Sequence, residues 1–225
     1  MDGALFEAQR QAMIERQLRR RGIADARVLD AMLRVPRHDF VPRQHVAIAY
    51  DDRPVPIGDV ETISQPYMVA VMTALAGVEP GDRALEVGTG AGYQAAILAE
   101  LGAAVWTVER NFRLAQEARA RLARLGYKDV EVIWGDGTDG YAAAAPFDVI
   151  IVTAASRTVP GPLVDQLAEG GRLLVPVGPL PRQEMTLICK QQGATVSRAL
   201  GPCQFVPLVG QHGWPDSSRE LRVES

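Results

Sequence analysis

Ala84-Leu85-Glu86-Val87-Gly88-Thr89-Gly90-Ala91-Gly92-Tyr93 is the stretch on which the reading of the chain turns. Its first four residues form a short apolar strand. The glycines at 88, 90 and 92 then let the backbone turn tightly and pass close to a ligand, and the helix expected over residues 94–101 offers free N–H groups at its start. Alone, such a turn is a weak signal, because a strand-to-helix connection with no ligand needs the same residues.

The surroundings alternate strand and helix. Ala104–Glu109 is a second strand and Phe112–Leu125 a helix closed by Gly126, a residue suited to the left-handed C-terminal position. Val130–Trp134 is a third strand. Phe147–Val152 is a fourth, apolar enough to be buried on both faces. Pro162–Ala168 reads as a helix ended by Gly170-Gly171, and Arg172–Val177 as a fifth strand. Thr186–Lys190 and a run near Phe205–Leu208 follow without an intervening helix, hence as an antiparallel pair. The expected fold class is α/β: a three-layer, doubly wound, mainly parallel seven-stranded sheet with an antiparallel C-terminal strand pair and an N-terminal helical extension. Such sheets bind ligands beyond the carboxyl ends of their strands.

Two strand ends sharpen the glycine turn. In the dinucleotide fingerprint GxGxxG the third glycine admits a pyrophosphate; here Tyr93 holds that place and the glycine comes one residue early. Glu109 ends the next strand, seventeen residues after Gly92, where a carboxylate can accept both hydroxyls of a ribose. Gly135-Asp136-Gly137 closes the third strand, and Asp136 can accept from an adenine amine. Each acid alone is more often a cap or a solvated strand end. Together they describe an adenosine held without a pyrophosphate, which fits S-adenosylmethionine.

The chain has 225 residues, 24 Lys+Arg and 27 Asp+Glu, a net charge of −3. This balance disfavours nucleic-acid binding, which needs a basic surplus, and the 47% hydrophobic content excludes a disordered chain. Cys189 and Cys203 are read as reduced thiols, and the three histidines lack metal-ligand spacing. Charges begin at Asp2 with no apolar run behind them, and Val149–Ala155 is too short to cross a bilayer, so the expected compartment is the cytoplasm.

Residues 4–35 read as helical, with Asp25 capping a helix whose apolar stripe is Val28, Leu29, Met32 and Leu33, stopped by Pro36. Residues 36–66 hold five prolines and little periodicity. A segment that long with interspersed apolar residues is expected to lie against the protein and serve its function, as a cover over the cofactor. Pro66 fits the first turn of a helix through Met68, Val69, Met72 and Leu75. The chain divides accordingly into 1–80, helices and cover integral to a single domain; 81–209, a Rossmann-like core; and 210–225, a tail in which Trp214 and Pro215 are expected to pack back and residues 216–225 to be solvated.

The sequence resembles the protein-L-isoaspartate O-methyltransferases of bacterial type over about residues 14–209. The resemblance is carried by Val35-Pro36-Arg37-His38-Asp39-Phe40-Val41-Pro42, Pro56-Ile57-Gly58, Thr62-Ile63-Ser64-Gln65-Pro66-Tyr67-Met68, the stretch Glu86–Tyr93, Phe147–Ala155 and Phe205-Val206-Pro207-Leu208. The glycine turn is shared with many methyltransferases; the 62–68 block is far more restricted. The resemblance implies S-adenosylmethionine-dependent esterification of the free α-carboxyl of L-isoaspartyl residues, with S-adenosylhomocysteine as product. The ester then collapses unaided to a succinimide, which initiates repair. It implies Ser64 as the catalytic residue. Thr62, Ile63, Glu86, Gly88, Thr89, Gly90, Gly92, Tyr93, Glu109, Arg110, Asp136 and Gly137 correspond to the cofactor shell, and Ser64, Gln65, Pro66, Val206, Pro207 and Leu208 to the substrate contacts. No metal is expected. The partners implied are isoaspartyl proteins and peptides, met by a monomer, without nucleic acid or membrane.

Ser64 also has a plain reading, as N-cap of the Pro66 helix. Both can hold, and without the resemblance the cap is the stronger reading; the chemistry is in keeping with the functional one. The nucleophile is a carboxylate, ionised at neutral pH, so no general base is required. A cation gripping it would stabilise the ground state, whereas a neutral hydroxyl orients one oxygen and leaves the other free. The readings weighed against this were an NAD-dependent oxidoreductase, a nucleic-acid methyltransferase, a non-catalytic binder of damaged chains, and a relative acting on aspartate of a dedicated peptide.

Overall fold

The computed structural model describes residues 3–58 and 61–216. The N-terminal region is helical but broken. Helix α1 (Gly3–Ala12) passes through a π-helical turn (Met13–Leu18) and a 3₁₀ turn (Arg19–Arg21), and α2 (Ala26–Arg34) begins after Gly22. Asp25 caps α2 as expected, its carboxylate accepting from the N–H groups of Arg27 and Val28. Residues 36–65 then run without long elements: two 3₁₀ turns (Arg37–Phe40 and Arg43–Ile48) and a small antiparallel pair, β1 (Val55–Pro56) with β2 (Thr62–Ile63). Pro66 opens α3 (Pro66–Ala76).

The core is one seven-stranded sheet. In chain order it comprises β3 (Arg83–Val87), α4 (Tyr93–Glu100), β4 (Ala104–Glu109), α5 (Phe112–Arg124), β5 (Glu131–Trp134), β6 (Phe147–Val152), α6 (Gly161–Asp165), β7 (Leu167–Val177), β8 (Gln183–Gln191) and β9 (Ala194–Cys203). The strand order is β5-β4-β3-β6-β7-β8-β9; the pairs from β5 to β7 are parallel and those of β8 antiparallel. The chain moves outward from β3 to β5, then returns to lay β6 on the other side of β3. The switch point therefore lies between the carboxyl ends of β3 and β6, where Val87 pairs with Val152.

Both faces of the sheet are covered, and β6 shows it residue by residue. Val149 and Ile151 join one apolar cluster, packed with the N-terminal helices; Ile150 and Val152 join the other, as does Phe147 across the register shift that precedes Val149. The period of two along a strand sends alternate side chains to opposite cores, which is why the strand reads as one apolar run. Helix α5 buries only Leu114, Ala115, Ala118 and Leu122, one face of the helical period, and is capped by Asn111.

Two expectations are corrected. The last strand is Ala194–Cys203, and Phe205–Leu208 lies outside the sheet. β9 is an edge strand exposed along most of its length, so it carries little apolar alternation to read. The signal present was Gln192-Gly193, both with positive φ (53° and 73°), the pattern of a two-residue hairpin turn. Likewise the helix expected to reach Ala168 stops at Asp165, and Leu167 already pairs with Phe147. Gly170-Gly171 sits within β7, at a break in the pairing rather than at a helix end: a Cβ on Gly171 would stand 3.0 Å from the Phe147 carbonyl oxygen. Among the described residues no helix is long and apolar enough to cross a membrane.

Candidate active site

The glycine turn is shaped by its neighbours. Gly88 has φ +96°, and a Cβ there would collide with the hydroxyl of Thr153, which donates to the Gly88 carbonyl at 2.8 Å and approaches the Val87 carbonyl at 3.1 Å. Gly92 takes the position before α4 with φ +88°, and a Cβ there would press on Leu122 at 3.1 Å. The early third glycine thus serves the contact between turn and α5, and Tyr93 begins the helix.

Glu109 ends β4 with its side chain turned back over this turn. Its Oε2 accepts from the Gly90 N–H at 2.9 Å and its Oε1 from the Asn111 N–H at 2.9 Å. It is buried, and burial raises its pKa; the two N–H groups oppose that rise. Each carboxylate oxygen retains a second lone-pair direction. Glu86, only 1% exposed, accepts at 2.6 Å from the Thr107 hydroxyl, which meets the Thr89 hydroxyl at 2.6 Å. Burial pushes the Glu86 carboxyl up to about 8, with Thr107 opposing and Glu109 adding to the rise, so at neutral pH it is mainly protonated.

A cavity of about 410 Å³ opens over these strand ends. Gly88, Gly90, Glu109, Arg110 and Gly137 line it, with an apolar wall that includes Val87, Val108 and Leu208. That volume lies in the usual range for cofactor sites, roughly 300–1,000 Å³. Beside it a second cavity of about 560 Å³ is bounded by Thr62, Ser64, Gln65, Met68, Phe205 and Val206 among others, with no charged side chain among the described residues that line it. A void of about 40 Å³ joins Ser64, Glu86, Thr89, Tyr93 and Gln94. Thr62 and Thr153 line all three, so this is where the cavities meet.

The segment Phe205–Leu208 closes the outer side. Ala155 N–H donates to the Val206 carbonyl at 2.8 Å, and Leu208 N–H to the Ala155 carbonyl at 2.7 Å, which lays this strip across the end of β6. Ser64 follows β2. It does not cap α3: Gln65 occupies that position without a side-chain bond, and Asp52, from the preceding loop, accepts instead from Tyr67 N–H at 3.1 Å. The Ser64 hydroxyl has no hydrogen-bond partner among the described residues.

The residues singled out in the sequence are therefore mostly brought together. Thr62, Ile63, Ser64, Gln65, Glu86, Gly88, Thr89, Gly90, Tyr93, Glu109, Arg110, Gly137, Val206, Pro207 and Leu208 line the adjoining cavities. Pro66 and Gly92 stand behind the walls, setting the starts of α3 and α4. Asp136 faces a separate hollow of about 380 Å³ with Arg110, Trp134 and Trp214. Its oxygens are already engaged, Oδ1 by the Thr138 N–H (2.9 Å) and hydroxyl (2.7 Å), Oδ2 by the Gln211 N–H (2.7 Å). Burial would raise its pKa, but these hydrogen bonds outweigh it and the net shift is downward. Part of the tail thus returns to the core: Trp214 is buried and its indole N–H donates to the Ala155 carbonyl at 3.0 Å. Residues 217–225, expected to be solvated, lie outside the described residues.

Thr153 was not singled out in the sequence, although it directly follows the fourth strand. Its place beyond a strand end is the signal that marks it.

With this geometry established, known proteins can be compared. A family model described as protein-L-isoaspartate(D-aspartate) O-methyltransferase (PCMT) matches residues 8–213. The chain belongs to this family. A protein-L-isoaspartate O-methyltransferase of Methanoculleus marisnigri is 54% identical over 206 residues, covering 92% of this chain and 94% of that protein. A solved protein-L-isoaspartate O-methyltransferase structure superposes with a TM-score of 0.83 at 30% identity, covering 91% of this chain and 67% of that one. A Plasmodium falciparum structure named as a protein of this kind, in complex with S-adenosyl-L-homocysteine, superposes with a TM-score of 0.79 at 30% identity over 89% of this chain and 98% of that one. The PCMT fold, with its antiparallel C-terminal strands, is the fold observed here.

Proposed function

We propose that this PCMT family member esterifies the free α-carboxyl of L-isoaspartyl residues in damaged proteins and peptides, with S-adenosylmethionine as methyl donor. The observation that carries the reading is the pairing of two cavities at Thr62 and Thr153, one lined by the glycine turn and Glu109, the other lined by Ser64 and by uncharged side chains among the described residues.

The donor cavity fits its group on three counts. The glycine turn leaves room for close approach, the Glu109 oxygens retain lone pairs for a diol, and Val87, Val108 and Leu208 give an apolar stretch of wall beside the polar Glu61, Thr62, Arg110 and Thr153. When bound there, S-adenosylmethionine supplies an activated methyl group and leaves as S-adenosylhomocysteine. Glu109 holds the ribose, with Gly88, Gly90 and Gly137 beneath it. Arg110 lines both this cavity and the neighbouring hollow that Asp136 faces, so it would border the adenosine, while Asp136 would act there only through Gly137 and the backbone it holds. On the acceptor side, Ser64 donates to one carboxylate oxygen and leaves the other unhindered, while Phe205 and Val206 form the facing wall against which the peptide lies. The chemistry needs no cation at the acceptor: neutralising the nucleophile before transfer would not speed it. Covering by residues 36–65 excludes water and fixes alignment, from which most of the acceleration comes.

The same reading takes residues 1–80 as a cover integral to one domain with the 81–209 core, and the protein as a monomer acting in the cytoplasm. Its acceptors are protein chains rather than nucleic acid, in keeping with the net charge of −3.

The test is transfer of labelled methyl to paired peptides that differ only in isoaspartate versus aspartate. Base-labile label on the isoaspartyl peptide alone is expected. Equal label on both, or on neither, contradicts the assignment.

A further inference from the structure

Arg37 belongs to the run Val35–Pro42, which the assignment above does not use. It is fully buried. A buried guanidinium is costly unless its charge and donors are satisfied, yet among the described residues no carboxylate lies within ion-pair distance of it. Instead, Nε donates to the Ala49 carbonyl at 2.7 Å and Nη2 to the Ser64 carbonyl at 2.8 Å. The guanidinium carbon stands 4.9 Å from the centre of the Tyr93 ring, and Phe40, from the same 3₁₀ turn, meets that ring edge-on at 5.4 Å.

These contacts join the two halves of the site. Tyr93 is the residue directly after the glycine turn. Ser64 lies in the cover, and its hydroxyl has no hydrogen-bond partner of its own among the described residues, so its direction follows from its backbone. That backbone is gripped on one side by the proline-led helix α3 and on the other by Arg37. Lysine cannot reproduce the grip in full, because a single ammonium lacks the planar fork that reaches two carbonyls while lying flat on a ring.

We propose that Arg37 is a positioning residue for methyl transfer: by holding the Ser64 carbonyl while resting on Tyr93, it sets where the Ser64 hydroxyl stands relative to the glycine turn. The inference rests on the assignment of Ser64 to the acceptor carboxylate.

A double-mutant cycle tests it, with kcat and KM measured on an isoaspartyl peptide and the dissociation constant for S-adenosylhomocysteine measured on the same preparations. Arg37→Gln is expected to lower kcat on the order of 10- to 100-fold, the cost of a small misplacement, with KM and inhibitor affinity within about two-fold of wild type. Arg37→Lys is expected to recover part of that loss. In a Ser64→Ala background Arg37→Gln should cost almost nothing further, since residues acting through one another are not additive. Wild-type turnover in Ser64→Ala overturns the assignment of Ser64 and this inference with it. A slow Ser64→Ala enzyme in which Arg37→Gln still exacts its full loss overturns the role of Arg37 alone. So does a kcat loss matched by an equal loss of inhibitor-binding sites, which marks a folding defect. If Arg37→Gln does not accumulate as folded protein, Arg37→Lys carries the same cycle.

Discussion

The two walls of the site are built by different physics. The donor wall, from β3 to the end of β6, is set by apolar strands buried on both faces and by glycines that admit close neighbours. The cover, residues 36–65, has only short 3₁₀ turns and a two-residue strand pair among its described residues. Side-chain bonds to its backbone supply much of what repeating structure does elsewhere: Arg37 to the Ala49 and Ser64 carbonyls and Gln17 to the Tyr50 carbonyl at 2.7 Å, while Asp52 of the cover ties it to the Tyr67 N–H of α3. Burial of apolar area is tolerant of exact angles, whereas hydrogen bonds to carbonyls are directional. The wall that must hold a cofactor is thus a rigid floor, and the wall that must place a hydroxyl is tied by directional contacts.

That contrast can be broken from the floor side first. Glu109→Ala removes the proposed ribose acceptor and the partner of the Gly90 N–H. Hydrogen bonds to charged groups are worth about 1.5–3 kcal/mol each, so S-adenosylmethionine affinity should fall on the order of 100-fold by calorimetry. An unchanged dissociation constant would take Glu109 out of the donor site.

A smaller effect sharpens the electrostatics of the floor. Glu86 titrates near 8 in the folded protein, because burial disfavours its charge, against 4.5 as a free side chain. Between those values the native state keeps a proton that the unfolded chain has released. Stability therefore declines as pH rises through this window, by up to a few kcal/mol. Glu86→Gln cannot ionise, so its thermal midpoint should fall less between pH 5 and pH 8 than that of wild type. Parallel profiles would mean that Glu86 is charged at neutral pH.

Legibility in the sequence followed the same division. The parallel strands announce themselves because both faces are apolar, and Gly88, Gly90 and Glu109, which line one cavity, stand out because chemistry at strand ends has a fixed address. β9 was misplaced because an exposed edge strand carries almost no pattern. The burial of Arg37 could not be read, since an arginine in a proline-rich run looks solvated until Ala49 and Ser64 fold onto it. Asp136 was read as an adenine partner, but its bonds to Thr138 and Gln211 depend on a tail whose return no periodicity signals.

The division of labour between floor and cover is tested most directly by Ser64→Ala, with turnover on an isoaspartyl peptide and S-adenosylmethionine affinity read from one preparation. Turnover should fall on the order of 100-fold while the dissociation constant stays within about two-fold. If turnover persists at the wild-type level, or if both quantities fall together, the cover does not place the acceptor as described.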